Sequence, residues 1–188
     1  MTRIFIYVIL FYEGDKLKNL IPNIYNKSIY TIDYNKLKKN NVKCLLYDLD
    51  NTCVPYPEKV PTKELTELFN KLTKLGFKVI IFSNTTPNRL EKFKSLNIEI
   101  HGLSKKPFKK GFLDIINTYK YKKEEICIIG DQLFTDILGG NRVGIKTILV
   151  DPMGPHDFIF TKITRMIEKI VFKRMKRKNI LTKGVYDE

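Results

Sequence analysis

Asp48 and Asp50 stand one residue apart at the end of an apolar run, Lys43-Cys44-Leu45-Leu46-Tyr47-Asp48-Leu49-Asp50-Asn51-Thr52. Such a run, bounded by polar residues, predicts a buried strand. In open α/β sheets ligands bind beyond the carboxyl ends of strands. Alternation along an extended backbone turns both aspartates to the same side. Carboxylates that close repel and raise one another's pKa unless a cation lies between them. The pair therefore suits Mg2+, a hard ion that takes oxygen ligands. A solvated turn could use the same residues, so the rest of the chain has to decide.

Three more strand ends carry residues of the right kind. Val79-Ile80-Ile81-Phe82 runs into Ser83-Asn84-Thr85, where a hydroxyl and the following N–H groups could cradle a phosphate. Ser104-Lys105-Lys106-Pro107 precedes a helical pattern and offers a lysine as a point cation for phosphate. Cys127-Ile128-Ile129 leads into Gly130-Asp131-Gln132-Leu133-Phe134-Thr135-Asp136. Its glycine permits close backbone approach, and its two acids could complete a metal site. Each motif alone is weak. Four in a row at strand ends that share one edge of a parallel sheet can converge.

The elements that must position them alternate from Val42 onward. Strands are predicted at Lys43–Asp48, Lys78–Phe82, Glu99–His101, Ile126–Gly130 and Lys146–Val150, giving a five-stranded, mainly parallel α/β sheet. Helices are predicted over Thr62–Leu75, Pro87–Leu96, Lys110–Tyr119 and Thr135–Asn141. In the first, Thr62 is a plausible N-cap, Gly76 follows the end, and Leu65, Leu68, Phe69, Leu72 and Leu75 recur at helical spacing. Tyr30–Asn40 reads as a short helix or arm with Asp33 as N-cap.

The motif set DxDxT, SN, KP and GDxxxxD, in this order over Lys43 to about Val150, resembles the haloacid-dehalogenase (HAD) superfamily of aspartyl-phosphate phosphatases. The resemblance implies a Rossmann-like fold and assigns roles. Asp48 would be the nucleophile and Asp50 the general acid and base. Asp48, the backbone carbonyl of Asp50, and Asp131 would hold Mg2+, with Asp136 close by or behind them. Thr52 would orient the loop, Ser83 and Asn84 would bind phosphoryl oxygens, and Lys106 would balance their charge, with Lys105 and Lys109 as rivals for that role. About 30 residues separate Thr52 from Ser83, and about 20 separate Thr85 from Lys106. Neither gap holds a cap domain, which leaves the site open to large substrates.

A closer resemblance runs from about Leu20 to the C-terminus. Leu20-Ile21-Pro22, Lys27-Ser28-Ile29-Tyr30-x-Ile32-Asp33, DLDNT, GDQLFTD, GGNRVG and Thr147-Ile148-Leu149-Val150 are similar to the YqeG family of HAD subclass IIIA, whose relatives include phosphatidylglycerophosphate phosphatases. Cys53 departs from the aliphatic residue usual there. The resemblance implies a phosphorylated substrate with an anionic lipid headgroup.

Three cysteines, without CxxC spacing, read as small core residues in a reducing compartment. Ile4–Tyr12 is a nine-residue apolar run, too short to span a bilayer, which needs about 20 residues. The net charge of +14 excludes an acidic surface and favours anionic partners. From Phe158 to Glu188 nine Lys and Arg face three Asp and Glu. There Ile159, Phe160, Ile163, Met166, Ile167, Ile170, Val171 and Met175 recur at helical spacing, with Lys162, Arg165, Lys169, Lys173, Lys176 and Arg177 largely opposite. Such a basic amphipathic helix suits an anionic membrane surface, or it docks its apolar stripe on the domain. Clustered Arg165, Arg174 and Arg177 would also suit RNA.

The expected organisation is an N-terminal arm over residues 1–41, a phosphatase core over 42–157, and a basic helix and tail over 158–188. The expected function is Mg2+-dependent hydrolysis of phosphatidylglycerophosphate in the cytoplasm, with peripheral contact to the inner membrane face through 158–178. The alternatives are a capless phosphatase for protein or nucleic-acid phosphate ends, and a basic RNA- or ribosome-associated binding module.

Overall fold

The computed structural model describes residues 14–154 and 159–187; the apolar run Ile4–Tyr12 lies outside them. Six strands form one parallel sheet: β1 (Ile24–Asn26), β2 (Cys44–Tyr47), β3 (Lys78–Phe82), β4 (Glu99–His101), β5 (Ile126–Gly130) and β6 (Lys146–Val150). Their order is β1-β6-β5-β2-β3-β4. The helices are α1 (Tyr34–Lys39), α2 (Lys63–Lys74), α3 (Pro87–Leu90), α4 (Lys109–Tyr119), α5 (Leu138–Val143) and α6 (Ile159–Arg177). After β2 the chain steps outward through β3 and β4, then returns to the far side of β2 with β5. The strand order thus reverses between β2 and β5, and their carboxyl ends flank the crevice where such sheets bind ligands.

The sheet has one strand more than the sequence pattern predicts. β1 pairs with β6, Tyr25 opposite Leu149, within the segment expected to be an arm. Three residues are too few to display alternation, and Asn26 breaks the apolar run. Strands β2, β3, β5 and β6 follow the prediction because their pattern is nearly continuous, as burial on both faces requires, and β4 falls at Glu99–His101 as predicted.

Helices cover both faces. On one, Leu45, Tyr47, Val79, Ile81, Cys127 and Ile129 pack with Leu37 of α1 and Leu65, Phe69 and Leu72 of α2. On the other, Cys44, Leu46, Ile80, Phe82, Ile126 and Ile128 meet Phe112 and Ile115 of α4 and Val143 of α5. α2 begins where predicted: the Thr62 hydroxyl accepts from Leu65 N at 3.1 Å. α1 begins with Asp33 accepting from Lys36 N at 2.9 Å. Two predicted helices are compound. Pro87–Leu96 divides into α3 and a 3₁₀ segment, Glu91–Leu96, and the stretch after Asp131 opens with a π-helical turn, Leu133–Ile137, before α5.

α6 packs beside that turn. Its buried line runs through Glu168, Val171 and Met175, where it meets Leu133, Ile137 and Leu149. The predicted stripe is therefore only partly docked: Met166 and Ile170 remain 67% and 61% exposed. The segment after α6 returns to the sheet. Asp187 N donates to Tyr25 O at 2.8 Å, and Gly184 N donates to the Tyr25 hydroxyl at 3.2 Å.

Candidate active site

Asp48 follows β2 directly, and its N–H donates to Ile129 O at 3.0 Å, so the ladder to β5 continues through the aspartate. The next turn is tight. Asn51 takes a left-handed φ of 64°, which asparagine tolerates, and its N–H donates to Val54 O at 2.7 Å. The turn separates the two acids: Asp48 is buried, whereas Asp50 keeps 26% of its side chain exposed.

Lys106 lies between Asp48 and Asp136. Its Nζ donates to Asp48 Oδ1 and to Asp136 Oδ1, each at 2.7 Å, and its side chain is 1% exposed. Burial disfavours the ammonium, but Asp136 and Asp48 outweigh burial and hold its pKa above the ordinary lysine value. Lys105 and Lys109 are exposed, so of the three rival lysines only Lys106 reaches Asp48. Asp136 also accepts from Gln132 N at 3.2 Å. A Cβ on Gly130 would fall 2.2 Å from Asp136 Cγ, so the glycine is what lets Asp136 lie against the end of β5.

Asp131 is buried too. Thr52 Oγ1 donates to Asp131 Oδ1 at 3.0 Å. Arg165 of α6 forms an ion pair with Asp131 Oδ2 and donates from Nη1 to Asp131 O at 2.7 Å. Glu168 completes the arrangement, accepting from Arg165 Nη1 at 3.0 Å and from Leu133 N at 2.6 Å. Burial pushes the Asp131 carboxyl up to about 8; Arg165 opposes the rise, and the charges of Asp48 and Asp136 add to it. Asp50 is raised as well, chiefly by burial, against a hydrogen bond from Arg89 and with Asp48 adding its charge.

Two of the expected site side chains, Asn84 and Thr52, hydrogen-bond within the protein. Asn84 accepts from Lys106 N at 2.8 Å and from Ser104 Oγ at 2.9 Å, and its Nδ2 donates to Lys106 O at 3.0 Å. It clips the 104–106 loop. Thr52 likewise serves Asp131. Ser83 is buried at the same edge, and its Oγ accepts from Thr85 N at 3.4 Å.

Three participants escape the sequence reading. Arg89 donates from Nε at 2.9 Å and from Nη2 to Asp50 Oδ1. Arg165 was expected on the solvent face of the tail helix and instead pairs with Asp131. Glu168 occupies the buried line of α6; an acid three residues before Val171 and seven before Met175 was the available signal.

Five carboxylates, Asp48, Asp50, Asp131, Asp136 and Glu168, thus meet three cations, Lys106, Arg89 and Arg165. No three acidic, histidine or cysteine side chains close into a ligand cluster among the described residues. Asp48 and Asp131 nevertheless stand at neighbouring strand ends with the Asp50 backbone next in line. The surplus negative charge and the all-oxygen donor set fit a hard divalent cation.

Comparison with known proteins agrees with this architecture. A family model described as HAD-hydrolase-like matches residues 104–152. The chain is 39% identical to the "Probable phosphatase YqeG" of Bacillus subtilis, over 86% of this chain and 94% of that one. It is 28% identical to phosphatidylglycerophosphate phosphatase 1 of Arabidopsis thaliana, over 86% of this chain but only 49% of the plant protein. A "predicted HAD-like family hydrolase" from Porphyromonas gingivalis superimposes with a TM-score of 0.51 at 14% identity, over 68% of this chain and 98% of that one. An uncharacterized protein from Listeria monocytogenes gives 0.50 at 22% identity, over 68% and 99%. By its match to nearly the whole of YqeG, the chain belongs to the HAD-like hydrolase family of which YqeG is a member.

Proposed function

We propose that the chain is a Mg2+-dependent phosphomonoesterase that works through an aspartyl-phosphate on Asp48 and acts on phosphatidylglycerophosphate. The observation that carries the chemistry is the buried Asp48–Lys106–Asp136 cluster with Asp50 beside it and less buried. An Asp48 carboxylate oxygen attacks phosphorus while the ester oxygen leaves. Asp50 gives that oxygen a proton, so the products are the free alcohol and the phospho-enzyme. Asp50 then takes a proton from water, whose oxygen attacks phosphorus and restores the Asp48 carboxylate with release of phosphate. Lys106 balances the charge of the phosphoryl oxygens, and Ser83 offers its hydroxyl to one of them. Asp48, the Asp50 carbonyl and Asp131 would hold Mg2+, which supplies charge neutralisation at the phosphoryl group. Asp136 serves by fixing Lys106.

The lipid substrate has its own support. α6 reaches the active site through Arg165, and on the adjoining turn Met166 and Ile170 project into solvent with the exposed Lys169 nearby. An apolar pair beside basic residues suits the surface of an anionic bilayer. No helix among the described residues is long and apolar enough to cross a membrane, so the contact would be peripheral. The Arabidopsis relative carries the corresponding name.

Phosphate release should be measured with purified protein and Mg2+, using phosphatidylglycerophosphate in phosphatidylcholine vesicles and a soluble phosphomonoester. Turnover of the lipid, abolished by Asp48→Asn, is the expected result. Turnover of the soluble ester alone rejects the lipid substrate and keeps the chemistry. Undiminished turnover by Asp48→Asn rejects the aspartyl-phosphate.

A further inference from the structure

Arg89 touches the one acid of the site that faces the leaving group, yet phosphoryl transfer as described above gives it no task. Its Nε and Nη2 both converge on Asp50 Oδ1. Nη1 approaches the Pro57 carbonyl at 3.5 Å, and the guanidinium carbon lies 5.4 Å from the centre of the Tyr56 ring. The residue thereby bridges α3 and the segment after the first motif, and its side chain is 15% exposed. An arginine presents five N–H donors in a planar fork and never loses its charge, and these contacts do not use all five.

The position determines what the remaining donors can meet. Lys106 stands on the Asp48 side, where the transferred phosphoryl group belongs. Arg89 stands on the Asp50 side, where the ester oxygen departs. A leaving group that departs beside Asp50 would have the guanidinium within reach. A half-buried fork of this kind binds phosphate or carboxylate in preference to neutral groups.

We propose that Arg89 is a specificity-determining residue that binds a second anionic group, a phosphate ester or carboxylate, carried by the leaving alcohol. This rests on the reading that Asp50 protonates the leaving oxygen. The preferred substrates are then phosphomonoesters with two separated anionic groups, whether a soluble bisphosphate or a lipid headgroup.

Wild type, Arg89→Gln and Arg89→Lys should be compared on glycerol 1,3-bisphosphate, on glycerol 3-phosphate, and on phosphatidylglycerophosphate in phosphatidylcholine vesicles. Wild type should favour the bisphosphate over the monophosphate by about 10- to 100-fold in kcat/KM, mostly through KM, the worth of one charge-assisted hydrogen bond. Arg89→Gln should collapse that ratio to near unity, and Arg89→Lys should restore part of it. An equal loss on both soluble esters, leaving the ratio intact, would show that Arg89 only braces the fold and would overturn the proposal. Loss on vesicles together with the soluble bisphosphate supports a general anion site; loss on vesicles alone supports the lipid phosphodiester as its ligand.

Equilibrium binding to Asp48→Asn protein, with and without Arg89→Gln, separates this proposal from the catalytic one. Arg89-dependent preference for the bisphosphate in the absence of any wild-type turnover would refute the phosphatase and uphold the anion site. Turnover without such preference would do the reverse.

Discussion

Replacing Lys106 by methionine keeps most of the side-chain volume and removes the ammonium. What remains is Asp48, 8% exposed, and Asp136, 0% exposed, each having lost a partner at 2.7 Å. Breaking a buried ion pair by deleting one member costs about 3–5 kcal/mol, because an uncompensated charge stays buried. For a chain of this size each kcal/mol moves Tm by roughly 2–4 °C, so Lys106→Met should unfold about 6–20 °C below wild type in EDTA. The deficit has a pH signature. Asp136 is already raised above the usual aspartate value by burial, with Lys106 opposing the rise. Without Lys106 it rises further. A raised acid contributes stability that is full below its unfolded value and is lost as pH climbs through the folded one. The gap between the proteins should therefore widen toward neutral pH and narrow on acidification. Calorimetric unfolding at several pH values reads both effects. A variant that melts within 2 °C of wild type in EDTA at neutral pH would refute the reasoning.

Other perturbations test separate parts of the structure. Gly130→Ala drives a methyl group into Asp136, so it should cost about 1–3 kcal/mol by denaturant titration and lower turnover beyond what the stability loss explains. Thr62→Ala removes the cap of α2 and should cost about 1 kcal/mol by denaturant titration. The Asp131 carboxyl, held at about 8, favours its protonated form in the metal-free protein, so stability should fall as pH climbs toward 8. Mg2+ should accordingly displace protons near pH 7, and the binding heat should differ between Tris and PIPES; identical heats would refute this. Met166→Asp with Ile170→Asp should reduce co-sedimentation with anionic vesicles while leaving soluble phosphomonoester turnover unchanged.

Strands β2, β3, β5 and β6 were legible because each is an apolar run that ends abruptly in Asp, Ser or Gly, and a buried parallel sheet imposes that pattern; β4, with Glu99 and His101, does not show it. Asp48, Ser83 and Asp131 could be read for the same reason: they occupy the first positions past those ends. What could not be read is who faces whom across the crevice. Arg89 and Asp50 are 39 residues apart, and Arg165 and Asp131 are 34 apart. No periodicity links such positions, so nothing in the local pattern pairs either arginine with its carboxylate. The family resemblance assigns Asn84 to phosphoryl oxygens, and its side chain also holds the loop that presents Lys106, a link the sequence does not reveal. β1 was hidden because Asn26 breaks its short apolar run within the segment read as an arm.

The return of the chain to β1 also bears on how copies of the protein can associate. Tyr25 N and O are both engaged by Asp187, so the outer rim of β1 has no vacant ladder at its centre to offer a neighbouring strand. At the opposite rim β4 is three residues long and carries Glu99, held by Lys78 at 3.4 Å. Short, charged or covered rims discourage one sheet from growing into another. Among the described residues, neither rim of the sheet therefore offers a long vacant ladder on which a second copy could extend it.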